Sequence, residues 1–286
     1  MQFYLENAGR AHYPKHRALP HGELTRLNDD RSTLLRNWLA AQTSAPHQIL
    51  PASADASFRR YFRVILPHGA TRIAMDAPPA HEDAGRFVKM ANRLRHGGVS
   101  VPEIYACDLA QGFVLMEDFG SRHYADALDA SNAEMWYARA FEQLAHLHAL
   151  PGEDFPPYDA VLLQRELAIF EEWYLRHFLQ LAAEDNVFWP AIRDALIASA
   201  LAQPRVVVHR DFHCRNLMAL PDGTVGVLDF QDAVHGPVTY DLVSLLRDCY
   251  IDWPVAWITA WSEAFYRRWR GSAPDAVSWP QFKQWF

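Results

Sequence analysis

The chain has 286 residues, 50% of them hydrophobic and 21% charged, with a formal net charge of −7. This length can bury one or two cores, and an acidic balance with no basic run among aromatics excludes the electrostatic footprint of a nucleic-acid binder. No apolar stretch is long enough to span a membrane, the first thirty residues lack the apolar centre of a signal peptide, and Cys107, Cys214 and Cys249, which lack metal-ligand spacing, read as free thiols of a reducing cytoplasm.

Residues 1–30 show weak periodicity and read as an extension. Leu34, Leu35, Trp38 and Leu39 recur at helical spacing behind a Ser32 or Thr33 cap, predicting a helix over Ser32–Ala41. Phe58–Leu66 and Thr71–Asp76 read as a strand pair joined at Pro67-His68-Gly69-Ala70. A helix over Glu82–His96 comes next and stops at Gly97-Gly98. Strands at Ile104–Asp108 and Phe113–Glu117 complete a small five-stranded antiparallel sheet if Gln48–Leu50 supplies the first strand. Beyond Asp118-Phe119-Gly120 the pattern becomes helical, with periodic stretches at Ala133–Leu150, Ala160–Leu181 and Val187–Ala202. The expected fold is therefore α+β and bilobal, with a sheet lobe over 31–118 and a larger, mainly helical lobe over 119–286. The final segment, from Ser278-Trp279-Pro280-Gln281 to Phe286, reads as a helix cut short, with part of the larger lobe or acceptor pocket beyond it.

The chemistry concentrates in one stretch of the larger lobe. Val206–Val208 reads as a strand, and Leu217–Leu220 and Val225–Leu228 read as a hairpin around Pro221-Asp222-Gly223. Between and after them lie His209-Arg210-Asp211-Phe212-His213-Cys214-Arg215-Asn216 and Asp229. Singly, Asp211 suits a turn cap, Asn216 a left-handed position and Asp229 a strand end. Together they supply what ATP-dependent phosphoryl transfer requires: a carboxylate to orient the attacking hydroxyl, and an amide oxygen and a second carboxylate for Mg2+. Magnesium takes few protein oxygens alongside water and phosphate, so a sparse set suits it. His213-Cys214 lacks the spacing of a zinc site.

The segment Val206–Asp232, with Asp241-Leu242-Val243-Ser244-Leu245-Leu246 after it, resembles the aminoglycoside phosphotransferase and choline kinase superfamily, whose fold is similar to that of protein kinases. The resemblance implies Asp211 as catalytic base, Asn216 and Asp229 as magnesium ligands, and Asp241 as a brace for the catalytic loop, with His209 fixing its backbone. In the amino-terminal half, Asp55–Arg63, Met75-Asp76-Ala77-Pro78-Pro79 and Met116–Gly120 resemble the bacterial sugar kinases that phosphorylate the anomeric hydroxyl of N-acetylmuramate and N-acetylglucosamine in cell-wall recycling. This similarity runs from about Thr33 to Trp279.

The resemblance also implies an ATP site in a cleft, with Met116–Gly120 as hinge and the main chain of Glu117 and Phe119 pairing with adenine. The same residues also suit the plain end of an edge strand. The phosphate grip departs from the protein-kinase pattern: no Gly-x-Gly-x-x-Gly is present, and Arg72-Ile73-Ala74-Met75-Asp76 carries no lysine. Only Lys15, Lys89 and Lys283 occur in the chain, and Lys89 reads as solvated. The Ser57 hydroxyl and one of Arg59 and Arg60, which alternate across a strand, are the expected substitutes, with Arg60 preferred. The acceptor is expected to be a small sugar, bound in the cytoplasm by a monomer without nucleic acid or membrane. His213, Arg215, Glu166, Gln231 and Asp232 are its candidate contacts. Glu166 opens a helical run in which Phe170 and Tyr174 share a face, either a core stripe or a sugar platform. Two other functions fit the same letters: a kinase of another small alcohol or amine, such as an aminoglycoside, choline or a fructosamine, and a nucleotide-binding pseudokinase that lost turnover with its lysine.

Overall fold

A computed structural model describes residues 30–43, 48–54, 58–181, 187–271 and 277–286. The extension expected over the first thirty residues and the Ser57 site fall outside them, Asp30 apart. The described chain is mixed α/β and forms two compact units. One holds the described residues up to Ala84 together with Ala106–Met116; the other holds Gly85–Tyr105 and Glu117–Phe286.

The first unit is built on a five-stranded sheet, β1 (Gln48–Ala54), β2 (Arg60–Ile65), β3 (Thr71–Asp76), β4 (Ile104–Asp108) and β5 (Phe113–Glu117), in the order β1-β2-β3-β5-β4. β2 runs antiparallel to both β1 and β3, with Arg60 opposite Asp76 and Ile65 opposite Thr71. Helix α1 (Asp30–Gln42) lays Leu35 and Leu39 on Phe62, Val64, Ala74, Phe113 and Leu115, with Trp38 at the margin. Each buried leucine, valine or phenylalanine there contributes roughly 1.5–3 kcal/mol. β1 is longer than the sequence predicts and β2 shorter, because strand ends carry the weakest sequence signal.

Asp76 is fully buried at the end of β3 and is held by two arginines. Its Oδ1 accepts from Arg31 Nε and its Oδ2 from Arg60 Nε, each at 3.0 Å. Arg31 also donates to the Gln111 carbonyl at 2.7 Å. A carboxylate this deep is tolerable because both oxygens are paired. Next to it, Gly112 sits at φ +75° with the Ala77 carbonyl where a Cβ would project, so only glycine fits there.

The second unit begins with α2 (Ala84–His96), which lies almost wholly in it, and continues through α3 (Tyr124–Ala127), α4 (Ala133–His148) and α5 (Ala160–Phe170). After α6 (Trp189–Leu201) come β6 (Arg205–Val208), β7 (Leu217–Ala219), β8 (Val225–Val227) and β9 (Val234–Pro237), then α7 (Tyr240–Leu246), α8 (Val255–Arg270) and α9 (Trp279–Trp285). The hairpin expected around Pro221-Asp222-Gly223 is β7–β8, with Met218 opposite Gly226. Strand β6 pairs instead with β9, Val208 facing Val234. The sequence conceals β9 because it contains Gly236 and ends at Pro237. Gly236 is needed there, since a Cβ would press on the Tyr158 side chain, and the proline is tolerated at the strand terminus.

The single helix predicted over Ala160–Leu181 divides. α5 stops at Phe170 and a π-helix occupies Glu171–Phe178. The wider turn aligns residues five apart, and two pairs use it: Arg176 with Glu171 at 2.7 Å and His177 with Glu172 at 3.0 Å. Trp189 Nε1 donates to the same Glu171 at 2.9 Å. Segments of this kind are short and often mark functional regions. No helix among the described residues is long and apolar enough to cross a membrane.

His148, at the end of α4, is half-buried with its ring edge-on to Phe265, and its two ring nitrogens are shielded from solvent with no hydrogen-bond partner among the described residues. Burial lowers its pKa from 6.5 to about 3. The unfolded chain therefore binds a proton below pH 6.5 that the folded chain refuses, so stability falls as the medium is acidified from 6.5 toward 3. Replacing His148 with Leu is expected to remove about 2 kcal/mol of that loss at pH 5. Urea unfolding of both proteins at pH 8 and pH 5 measures it; an unchanged pH difference in the variant contradicts the assignment.

Candidate active site

The loop between β6 and β7 is fixed from three sides before any side chain acts. Fully buried Asp241, in the first turn of α7, accepts the His209 N–H at 2.7 Å and the Arg210 N–H at 3.0 Å. Desolvation pushes its pKa up to about 7, against the pull of those two bonds. The His209 ring, also buried, bonds the Leu228 carbonyl through Nε2 at 2.9 Å, and burial depresses its pKa to about 4. The third anchor is Asp248, which receives the Cys214 N–H at 3.1 Å as well as those of Tyr250 at 3.0 Å and Ile251 at 2.9 Å.

These restraints hold the backbone in a conformation side chains disfavour. Arg210 sits at φ +82° and Asp229 at φ +60°, in the left-handed region. The Arg210 guanidinium is held by Glu166 of α5, which also receives the Tyr158 hydroxyl and, at 3.4 Å, the Tyr240 hydroxyl. Glu166, expected as an acceptor contact, is thereby occupied in fixing the residue beside Asp211.

Asp211, Asn216 and Asp229 are brought together by the main chain. The Leu228 N–H donates to the Asn216 carbonyl at 2.9 Å, which sets Asp229 beside Asn216. Asn216 Nδ2 donates to the Asp211 carbonyl at 2.9 Å, so the amide oxygen is the atom this side chain can offer to a cation. Gln231 Nε2 donates to Asp229 Oδ1 at 2.8 Å. The Asp211 carboxylate reaches solvent, yet the protein packed around it and then the charge of Asp229 raise its pKa above the ordinary 3.8. An amide oxygen and a carboxylate on adjoining backbone are hard oxygen donors of the kind magnesium accepts, so the donor set fits that ion.

The remaining expected residues fall into distinct surroundings. Gln231 is buried against Asp229, and Asp232 pairs with Arg86 of α2 at 2.9 Å. His213 lies edge-on to Tyr250, ring centroids 5.5 Å apart, and the Arg215 guanidinium covers the Tyr250 ring at 4.0 Å. The Glu117 N–H is taken by the Glu103 carbonyl at 2.9 Å. Phe119 packs on Gly226 of β8, where a Cβ would come 2.5 Å from its ring. Arg59 pairs with Glu82 at 3.6 Å, while Arg60 is on Asp76 as described. Phe170 and Tyr174 are stacked with centroids 5.1 Å apart and are 41% and 46% exposed, so their face is not a core stripe.

Sequence reasoning passed over Asp248 and Tyr250. A signal for Asp248 exists, because an aspartate two and three residues before the amides it receives is a common turn device. Nothing local marks Tyr250, whose role arises from its tertiary contact with the loop.

A model of the phosphotransferase enzyme family matches residues 48–279. The chain is 45% identical over 233 residues to the N-acetylmuramate/N-acetylglucosamine kinase of Pseudomonas aeruginosa, covering 79% of this chain and 68% of that protein. It is 44% identical to the protein of that name from Pseudomonas putida, covering 76% of this chain and 64% of that one. The Neisseria meningitidis protein of that name is 36% identical, covering 90% and 78%. The chain thus spans about two thirds of the length of the two Pseudomonas relatives. Among solved structures, an aminoglycoside-3'-phosphotransferase of type VIII superposes with a TM-score of 0.60 at 16% identity, covering 90% of this chain and 97% of that one. An aminoglycoside phosphotransferase from Streptomyces rimosus, in complex with ADP and streptomycin, gives 0.60 at 19% identity, covering 90% and 96%. These likenesses carry the protein-kinase-like fold, and with the family match over most of its length the chain belongs to the phosphotransferase enzyme family.

Proposed function

We propose that this chain is an ATP-dependent kinase that places the γ-phosphate on the anomeric hydroxyl of N-acetylmuramate and N-acetylglucosamine, a cytoplasmic step of peptidoglycan recycling carried out by a monomer. The observation that carries the reading is the Leu228–Asn216 backbone bond, which joins Asn216 and Asp229 beside the loop of Asp211. The acceptor is argued from the named kinases that share up to 45% of its residues over most of the chain.

Asp211 is the base. Its raised pKa makes it a better proton acceptor than an ordinary aspartate. The sugar oxygen attacks the γ-phosphorus as the bond to the β–γ bridging oxygen breaks, ADP departs, and the hydroxyl proton passes late to Asp211. Asn216 and Asp229 are the residues that would hold magnesium, which when bound would neutralise charge on the phosphate oxygens. His209 and Asp241 keep the loop in place, so that geometry is set before substrate arrives. We assign adenine to the main chain at Glu117 and Phe119, and the phosphates to Ser57, Arg59 and Arg60, either arginine reaching phosphate by exchanging its carboxylate partner, Glu82 or Asp76. Since the Glu117 N–H is already taken, its carbonyl and the Phe119 N–H are the groups offered to adenine.

Phosphorus NMR of the product formed from ATP and N-acetylmuramate tests the reading. An anomeric sugar phosphate is expected, with turnover of N-acetylglucosamine as well and none of choline or kanamycin. Turnover of choline or kanamycin alone overturns the acceptor. ATP binding without turnover of any acceptor overturns the activity and leaves a pseudokinase.

A further inference from the structure

Beside the catalytic loop lies a group of side chains that the phosphoryl-transfer argument leaves unused. Arg215 is exposed, and no carboxylate among the described residues forms an ion pair with it. Its guanidinium lies over Tyr250, with the central carbon 4.0 Å from the ring centroid. Such stacking holds a guanidinium in place while leaving its N–H edge available. Tyr250 is 43% exposed, and His213 supports it edge-on, with a buried Nδ1 that has no partner among the described residues. Neither support is loosely placed. The His213 N–H donates to the Asp211 carbonyl at 3.0 Å, and Asp248 ties the Tyr250 segment to the Cys214 amide.

A fixed cation with an available donor edge, one residue from Asn216 and four from Asp211, is suited to a planar anion on the acceptor. A nearby aromatic ring suits the apolar face of a sugar. The two proposed acceptors differ in one charged group: N-acetylmuramate carries a lactyl ether carboxylate that N-acetylglucosamine lacks. The geometry points to Arg215, stacked on Tyr250, as the specificity residue that binds this carboxylate and favours the carboxylated amino sugar. The inference rests on the acceptor reading above and deepens it. Arg215 takes no part in the proton or phosphoryl movement, so its effect belongs to acceptor selection.

The test compares kcat/KM for N-acetylmuramate, its methyl ester and N-acetylglucosamine in the wild type, Arg215→Met and Arg215→Lys. The ester retains the bulk and loses the charge. In the wild type, esterification is expected to lower kcat/KM by about ten- to hundredfold, the effect of losing a charged hydrogen-bonded pair. Arg215→Met is expected to bring the acid-to-ester ratio close to one, and Arg215→Lys to leave it between. A wild type that uses ester and acid equally well overturns the inference without any variant, as does an Arg215→Met enzyme that keeps the wild-type ratio. These failures leave the kinase reading intact as long as N-acetylglucosamine is phosphorylated. Turnover of none of the three sugars by the wild type overturns both.

Discussion

Replacing Asp211 with Asn is expected to lower turnover on the order of a thousandfold while leaving the affinity for ATP close to its starting value. The asparagine is nearly isosteric, and the bonds that hold this position are made by its backbone: the carbonyl receives Asn216 Nδ2 and His213 N–H, and the N–H points to His209 Nδ1 at 3.3 Å. Loss of the carboxylate therefore removes the proton acceptor without dismantling the loop. Single-turnover measurements at saturating ATP separate the two effects, because a lost base slows the chemical step and spares nucleotide binding. Loss of ATP binding in a variant that still folds counts against a role confined to the acceptor, and retention of near-normal turnover removes Asp211 as the base.

Asp229→Ala is expected to abolish magnesium-dependent turnover, by at least about a hundredfold. The substitution also places alanine at φ +60°, where aspartate and asparagine are better tolerated, so some of its effect is strain. Asp229→Asn resolves the ambiguity. It keeps an oxygen to receive Gln231 Nε2 and keeps the left-handed preference, while removing the charge that attracts the metal. The asparagine variant is expected to need a much higher magnesium concentration for half-maximal rate. Near-normal activity of the alanine variant, or an unshifted magnesium titration of the asparagine variant, removes Asp229 from the metal site.

Much of this arrangement was legible in the sequence where local signals agree. β3, β4 and β5 have the predicted boundaries, because short apolar runs and clear turns coincide there. Asp211, Asn216 and Asp229 could be nominated because a hairpin brings together positions that a short chain segment separates. The partners of the arginines were not legible. Arg60 reads as a phosphate ligand from its place on a strand, and the structure adds a partner the strand does not announce, Asp76, whose other oxygen receives Arg31 from α1. Glu166 reads as a substrate contact from its helix face, yet Arg210 and two tyrosines reach it from separate parts of the chain. The π-helix escaped because its five-residue pairs lie on residues that also satisfy ordinary helical spacing. For both arginines the deciding contact is long-range, and periodicity carries no information about it.

The left-handed Arg210 has a consequence for engineering. Glycine at this position relieves roughly 1–2 kcal/mol of backbone strain, a gain that the greater freedom of glycine in the unfolded chain offsets in part. It also releases the tether to Glu166 beside Asp211, the proposed base. One substitution therefore relaxes the main chain and strands the Glu166 carboxylate, so the strain at Arg210 is the cost of a tether that joins the catalytic loop to α5.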